Sequence, residues 1–481
     1  MHSDSTLNLE TQIAIIGGGG TGLSAAVAAS EMGANAIVLE KRHNPGGNSS
    51  RAAGLFAIES PVQRRLRIDV PRDEIFKVAM DYAHWTIDPR IVRAFVDRSG
   101  DTIRWLEEKG ITFIMEALYS NQSPLTMHSP TKGYGTEIIE VLAKDFKGFS
   151  GRMLCDTEAT EILTDGKKGI TGLLATNSSG EKIRITAKSV IIASGGYAGN
   201  KELLDKYCPQ YRENMVCTGF RHTGDGLLMA TKVGAATEGL GILQFFGHAI
   251  PGGTKTMKLV AQEPNAIYVN KRGVRFVDEG LVFKGFESTN AVIRQPECLC
   301  YTLLDERMKQ SLIENGVVRG AMFTNGPGTK LPEVGNELQS AADKGDVKIS
   351  NSWDDIAGWI GATPEALMNT INEYNSCCDQ GYDTIFAKER KYLVALRTPP
   401  YYAIKCSASF IGTIGGIKIN SGMEVIDEHD NPITGLYAGG VDAGGWESST
   451  YCGLLAGSTL GFAINSGRIA GENAAKYALQ K

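Results

Sequence analysis

The first patterned stretch is a short apolar run, IAII (13–16), followed by four glycines and then by LSAAVAASEMG (23–33), where small and apolar residues recur with helical spacing. A second apolar run, NAIVL (35–39), follows at once. Strand, glycine turn, helix and strand in that order predict a βαβ unit. Further along, DEIFKVAMDYAHW (73–85) and IVRAFVDRSGDTIRWLEEKG (91–110) carry apolar residues three and four apart and predict helices. The stretch 158–196 alternates in twos across two turn signals, which predicts a β-meander feeding a buried strand over 189–194. From about Gln244 the pattern changes. Apolar strands NAIYVN (265–270) and CLCYTLLDE (298–306) lie between glycine and proline loops, and helices are expected at DDIAGWIG (354–361) and PEALMNTINEYNSCCDQG (364–381). The chain then returns through TIGGIKIN (413–420), the turn DEHDNPITG (427–435) and GLYAGGVDAGG (435–445) to a long small-residue helix at 455–479. The expected organisation is an α/β, Rossmann-like domain over 1–243 and 404–481, interrupted by an α+β capping domain over 244–403.

The glycine turn brings in chemistry. Gly17, Gly19 and Gly22 stand in the order G-x-G-x-x-G. The first suits a tight turn, the second lets backbone N–H groups approach a pyrophosphate at the helix N-terminus, and the third permits close helix–strand packing. Glu40, just past the second strand, is placed to accept both hydroxyls of an adenosine ribose. Together these features predict a dinucleotide site. The loop KRHNPGGNSSRAAG (41–54) reads as a turn or ligand-lining segment. Gly195–Gly196 offers a second place where backbone meets a cofactor. A helix opened by glycine and serine beside a strand end also aims its N–H groups at a ligand, and the flavin edge that becomes anionic on reduction is a natural occupant.

Composition narrows the class. A chain of 481 residues is too long for one ordinary core, so two domains are expected. With 42% apolar and 21% charged residues and a net charge of -5, the chain offers no field for nucleic acid or a membrane surface, and RRLR (64–67) is its sole basic cluster. The polar start does not resemble a signal peptide, and no apolar run is long enough to span a bilayer. Nine cysteines without regular spacing argue against a disulfide framework, and neither Cys298 with Cys300 nor Cys377–Cys378 has a partner pair for a metal or iron–sulfur site. A cytoplasmic protein with no metal and no haem is expected.

The segments GGGGTG, PGGNSS, IIASGGYAGN, TGDGLLMA, NKRGVRFVDE (read as a hairpin), GTIGG and GLYAGGVDAGG occur in that order. In this they resemble the flavoprotein superfamily of soluble fumarate reductases, succinate dehydrogenase flavoprotein subunits and 3-ketosteroid dehydrogenases. The resemblance implies FAD, with a cap closing over the isoalloxazine. It implies that Gly17, Gly19, Gly20, Thr21, Gly22, Glu40 and Lys41 bind the cofactor, with Glu40 at the adenosine ribose. Gly46–Ser50, among them Gly47, Asn48 and Ser49, would serve the pyrophosphate and flavin edge, and Ala53 and Gly54 also belong to the implied cofactor set. Ala193, Ser194, Gly195, Asp225, Gly440, Asp442, Ser458 and Thr459 complete the implied set, with Asp442 or its neighbours at the ribityl chain. Covalently attached relatives place a histidine in the loop that reads GGNSS here, so non-covalent FAD is expected.

The same resemblance marks what is missing. Fumarate reductases hold substrate carboxylates with two histidines and an arginine, and a further arginine delivers the proton. At those positions stand Phe246, Gly412, Leu454 and Phe283. A dicarboxylate needs such cations, because desolvating two negative charges without partners costs several kcal/mol. The pocket implied by the exchange suits a flat or cyclic, uncharged substrate. Ketosteroid dehydrogenases also read Gly-Thr-x-Gly-Gly, and by that likeness the Gly412 N–H would polarise a carbonyl as hydride moves. They use a tyrosine where this chain has Phe283, so the proton group must lie elsewhere. Tyr451 is the first candidate, with anchoring of the helix entry as its alternative role. Tyr119, Tyr134, Lys284, Glu287 and His248 follow. Arg275 and Glu279 are expected to pair with each other or to cap the hairpin turn, and Tyr401–Tyr402 to pack the crossing back into the first domain.

The expected activity is hydride transfer between flavin N5 and an activated C=C or CH–CH group of an enone-type substrate, with reduction favoured. A dicarboxylate reductase and a flavin electron-transfer subunit are the rival readings. No second redox domain is visible in the sequence, so NAD(P)H, reduced flavin or a redox protein must supply electrons from outside.

Overall fold

The computed structural model describes residues 6–117, 125–166, 169–320 and 326–480. Two compact units divide the chain: the first comprises 1–209, 219–243 and 412–481, and the second 210–218 and 244–411. The return to the first unit thus comes at Gly412. Residues 404–411 stay with the second unit because the long strand Tyr401–Ile417 pairs antiparallel there with Leu299–Asp305 and Val347–Ser350. The short piece 210–218 joins the second unit for the same reason, since Val216 and Cys217 pair with Ser409 and Phe410.

A six-stranded sheet lies at the centre of the first unit, in the order Glu424–Ile426, Pro432–Ala438, Ser189–Ile192, Ile13–Ile16, Ala36–Leu39, Arg152–Leu154. All neighbours run parallel except the first pair. Ile13–Ile16, Ala36–Leu39 and Ser189–Ile192 are buried at every position, as expected for strands covered on both faces. The meander forms over Thr157–Thr164, Ile170–Asn177 and Lys182–Thr186. A fourth strand, Leu7–Glu10, adds to its edge in parallel. That strand gave no apolar signal because it is largely exposed.

Two helices cross at close range. Helix Gly20–Glu31 leaves the glycine turn, and helix Ser458–Leu479 packs along it. A β-carbon on Gly467 would stand 2.2 Å from the Thr21 carbonyl oxygen, and one on Gly471 2.3 Å from that of Ala25. The small-residue pattern of the last helix therefore reflects the crossing distance.

In the second unit a mixed sheet runs Val216–Cys217, Tyr401–Ile417, Leu299–Asp305, Ile267–Val269. Helices Trp353–Ile360 and Pro364–Gln380 occupy the two predicted segments. The expected NKRGVRFVDE hairpin contracts to one antiparallel bridge, Val269 with Arg275, after which the chain enters a 3₁₀ turn at Glu279–Phe283.

Candidate functional site

At the nucleotide end, Gly17 has φ +108°, and a β-carbon there would lie 2.2 Å from the Ala193 carbonyl oxygen. One on Gly22 would lie 1.9 Å from the carbonyl oxygen of Gly17. These two glycines are demanded by the turn and its neighbouring strand. Gly19 is different, since the nearest atom to its β-carbon position is the Gly46 oxygen at 3.8 Å. Gly19 caps helix Gly20–Glu31 without a side-chain bond, and no acidic residue sits in the first turn. The Gly20 N–H donates to Ser49 Oγ (3.1 Å). The helix end retains its positive potential for an anion.

Glu40 is 8% exposed. Its Oε2 accepts from the Gly18 N–H and its Oε1 from the Arg42 N–H, both at 2.9 Å. Each carboxylate oxygen keeps a second lone pair, so the group braces the turn and still accepts hydroxyls. Lys41 donates to Asp225 Oδ2 and Thr223 Oγ1, both at 2.6 Å, and this ties the end of strand Ala36–Leu39 to the start of helix Asp225–Lys232.

Around the second glycine pair, Asp442 is 2% exposed and accepts from Ser194 Oγ (3.0 Å), Gly195 N–H (2.8 Å) and Gly196 N–H (2.9 Å). Burial pushes its carboxyl upward, and the two backbone N–H groups work against that. Its observed work is to hold the Gly195–Gly196 turn. Ser194 Oγ also accepts from the Gly226 N–H, at 3.2 Å. Gly440 packs on Thr21, where a β-carbon would come within 2.3 Å of Oγ1, and Gly54 packs on the His128 carbonyl. Ala53 is half-buried beside it.

Asn48 Oδ1 accepts from the Phe220 N–H (2.7 Å), and Asn48 Nδ2 is the sole neighbour of the Gly412 β-carbon position, at 3.7 Å. His222 was not singled out from sequence, although it directly precedes TGDG. Its Nε2 lies 3.5 Å from the β-carbon position of Gly47 and 2.9 Å from that of Gly195, and its buried Nδ1 has no hydrogen-bond partner. Burial, then Lys41 and Arg42, lower its pKa to about 4, which makes it a neutral ring. Arg42 and Arg51 both stand over the Phe220 ring, at 3.8 and 4.2 Å from its centroid. Glycines at 19, 47 and 412 whose β-carbon positions meet nothing closer than 3.5 Å, an unpartnered imidazole nitrogen and an uncapped helix start fit an extended ligand with a diphosphate and a flat polar ring. The residues present fit FAD.

Tyr451 is 4% exposed, and its hydroxyl is bonded to Ser458 Oγ (2.7 Å) and accepts from the Thr459 N–H (3.4 Å) at the start of helix Ser458–Leu479. Of its two possible roles, this geometry supports the anchor. Glu447 nearby is 6% exposed and accepts from the Ser448 and Cys452 N–H groups. Burial raises its pKa to about 8. Leu454 is 36% exposed, and Tyr134 opens helix Tyr134–Gly148 with φ +51°. Tyr119 lies outside the described residues.

In the second unit, Phe283 stacks on Tyr392 with ring centroids 5.7 Å apart. Arg275 is bonded to Glu279 (2.8 and 2.7 Å) and Asp383 (2.8 Å), and Lys388 stands 3.0 Å from Glu279. Against burial, which pushes it up, Lys388 and Arg275 hold the Glu279 carboxyl below its ordinary range. This is an internal ion cluster. His248 Nε2 bonds the Ala261 carbonyl (2.8 Å), and burial lowers its pKa to about 4. Lys284 is exposed at the start of helix Gly285–Ile293, and Glu287, in its first turn, has a buried Oε2 without a hydrogen-bond partner. Tyr401 stacks on Trp353 at 4.1 Å, and the Tyr402 hydroxyl donates to Glu306 (2.6 Å), both within the second unit. Phe246 lies beside Phe286, 5.9 Å between centroids, with the Lys258 ammonium 5.1 Å from its ring centre. Lys258 was not a sequence candidate because it sits in an ordinary helical stretch, Lys255–Ala261.

Comparison with known proteins agrees with this chemistry. The family model described as FAD binding domain matches residues 12–453. A vinyl phenol reductase of Lactiplantibacillus plantarum is 29% identical over 98% of this chain and 97% of its own. Among solved structures, a flavocytochrome c3 fumarate reductase in an open conformation is 26% identical with a TM-score of 0.77, covering 98% of this chain and 79% of that one. The 3-ketosteroid Δ1-dehydrogenase of Sterolibacterium denitrificans shares the fold, with a TM-score of 0.82 at 17% identity over 97% of this chain and 99% of that one. The chain belongs to the FAD binding domain family, and it is an FAD-dependent oxidoreductase of the class that acts on C=C and CH–CH groups.

Proposed function

We propose that the protein reduces the activated C=C bond of a flat, conjugated aryl or cyclic substrate, and that dicarboxylates are not its substrates. One observation carries this reading: Phe246, Gly412, Leu454 and Phe283 occupy the positions where the resemblance to fumarate reductases calls for two histidines and two arginines. Phenyl, hydrogen and isobutyl groups cannot neutralise two carboxylates removed from water. The full-length likeness to a vinyl phenol reductase supports an aromatic ring conjugated to the alkene.

Bound FAD supplies a two-electron hydride carrier. The chain's own residues do the rest. Glu40 and the uncapped start of helix Gly20–Glu31 hold the adenosine and diphosphate half. Asp442 fixes the Gly195–Gly196 turn, and Asn48 with His222 would border the flavin half of the bound cofactor. Where a substrate carries a carbonyl, the Gly412 N–H stabilises the charge that develops on its oxygen. Electrons come from an external donor, NAD(P)H, reduced flavin or a redox protein.

The test is anaerobic mixing of chemically reduced holoprotein with a hydroxystyrene, a cyclic enone and fumarate, followed by flavin absorbance. The expected result is reoxidation by one or both conjugated compounds and none by fumarate. Rapid reoxidation by fumarate overturns the proposal.

A further inference from the structure

A cavity of about 320 Å³ lies within the second unit, formed by helix Lys255–Ala261, the turn that follows it, strand Leu299–Asp305 and helix Glu306–Glu314. Val260, Leu304, Met308, Leu312 and Val318 supply apolar wall, and two residues of the turn, Glu263 and Asn265, stand among them. None of these residues belongs to the cofactor or substrate positions inferred above. Apolar walls with a few convergent polar groups are the usual form of a small-molecule site.

Glu263 is the wall residue whose chemistry is incomplete. It is 5% exposed, and both its carboxylate oxygens accept from the single Val318 N–H, at 3.1 Å each. A carboxylate offers about four lone-pair sites, so accepting capacity is left over. Burial pushes the carboxyl up to about 7, against the backbone N–H groups of Val318 and Arg319 and the charge of Arg319. About half of it is therefore ionised at neutral pH, in a place where an uncompensated charge is costly. Asn265 adds to the surplus of acceptors, since its buried Oδ1 has no hydrogen-bond partner.

The charges around the cavity do not supply the missing cation. The Arg319 guanidinium donates to Gln262 Oε1 (2.6 Å), and among the described residues it forms no ion pair with Glu263. Lys388 donates to the Ala266 carbonyl (2.9 Å) and stands 3.0 Å from Glu279. The Tyr268 hydroxyl donates to the Glu263 backbone carbonyl (3.2 Å), and burial raises its pKa, which keeps it neutral. Arg307 and Glu314, both exposed, line the cavity with opposite signs, and Arg307 donates to the Ala395 carbonyl (3.2 Å).

An anion in this cavity would meet the ionised carboxylate, and a neutral alcohol would bring one donor and no charge. A primary ammonium brings three donors and the missing charge, and a compact hydrocarbon body suits Leu304, Met308 and Leu312. We propose that the cavity is a binding site for a small primary ammonium compound with an aliphatic body, its nitrogen held by Glu263.

The experiment is isothermal titration of holoprotein at pH 6, 7 and 8, with cyclohexylammonium as the probe and cyclohexanol as its neutral counterpart. An alkylammonium titrates near lysine, so the probe stays charged throughout and changes in affinity follow the protein. The ionised carboxylate is the competent form, so affinity for the ammonium should rise about tenfold from pH 6 to pH 8. At pH 7 about half a proton should be released per ligand, as read from the dependence of the heat on the buffer. Cyclohexanol should bind at least about tenfold more weakly at pH 8, without pH dependence. Glu263→Gln should abolish the proton release and bring the ammonium down to the level of the alcohol. Ser311→Phe, at a half-buried lining position, keeps the carboxyl and should weaken both probes by filling space. FAD content and the thermal midpoint are measured on each variant to establish that it is folded. No binding of the ammonium by wild type, equal binding of the two probes, affinity that is flat from pH 6 to pH 8, or ammonium binding unchanged in folded Glu263→Gln or Ser311→Phe overturns the site.

Discussion

Glu40 braces the glycine turn through the Gly18 N–H, and its proposed second task is to accept the hydroxyls of the adenosine ribose. Replacing it with Ala removes charge-assisted hydrogen bonds worth roughly 1.5–3 kcal/mol, so FAD affinity should fall about tenfold or more, as read by flavin fluorescence titration. Tyr451 gives the opposite kind of expectation. With its hydroxyl bonded at the helix start, Tyr451→Phe should lose about 1 kcal/mol of stability and keep turnover within a few-fold, whereas a loss of 10²–10⁴-fold would restore it as a general acid. Glu447 provides a pH test. Its folded pKa, about 8, lies above the carboxyl's ordinary 4.5, so its contribution to stability is full below about pH 4.5 and is lost as pH rises toward 8. Glu447→Gln should therefore gain stability relative to wild type as pH rises through that window, on the order of a few kcal/mol, in denaturant titrations at a series of pH values.

Among the elements, the crossing of helices Gly20–Glu31 and Ser458–Leu479 is the most exacting. Gly467 and Gly471 place each backbone against carbonyls of the partner helix. Gly471→Val should force the helices apart and cost roughly 1–3 kcal/mol in unfolding free energy. Because Ser458 and Thr459 open the same helix, the variant should also bind FAD more weakly. The long strand Tyr401–Ile417 is the counterpart in the second unit: its first half is held by Leu299–Asp305 and Val347–Ser350, which is why the boundary falls at Gly412 and not where TIGGIKIN begins to look like strand.

For the molecule as a whole, FAD acts as a ligand of the folded state. Adding it in excess should raise the thermal midpoint of apoprotein, by about 2.7 kcal/mol of stabilisation at one hundred times Kd. The loop GGNSS holds no histidine, and on that ground acid denaturation should release the flavin into the supernatant. Flavin remaining with the precipitated chain would show a covalent link, and His222, beside Gly47, would be the first residue to examine. The described residues contain no helix long and apolar enough to cross a membrane.

The βαβ unit and the turn and packing roles of Gly17 and Gly22 were legible in the chain, because they depend on local spacing: a turn, a helix and a strand within 28 residues. The pairing of Arg275 with Glu279 was legible for the same reason. Local spacing did not determine where Asp442 would point, since its partners Ser194, Gly195 and Gly196 are some 250 residues distant and meet it only through the parallel pairing of Ser189–Ile192 with Pro432–Ala438. Nor did it mark His222, or Lys258 and Arg319. A lysine in an amphipathic helix and an arginine after a valine pair look like surface residues in one dimension. Tertiary packing alone brings Lys258 over the ring of Phe246 and Arg319 to the Gln262 amide, because the helix that carries Lys258 and the segment that carries Arg319 meet only in the folded second unit.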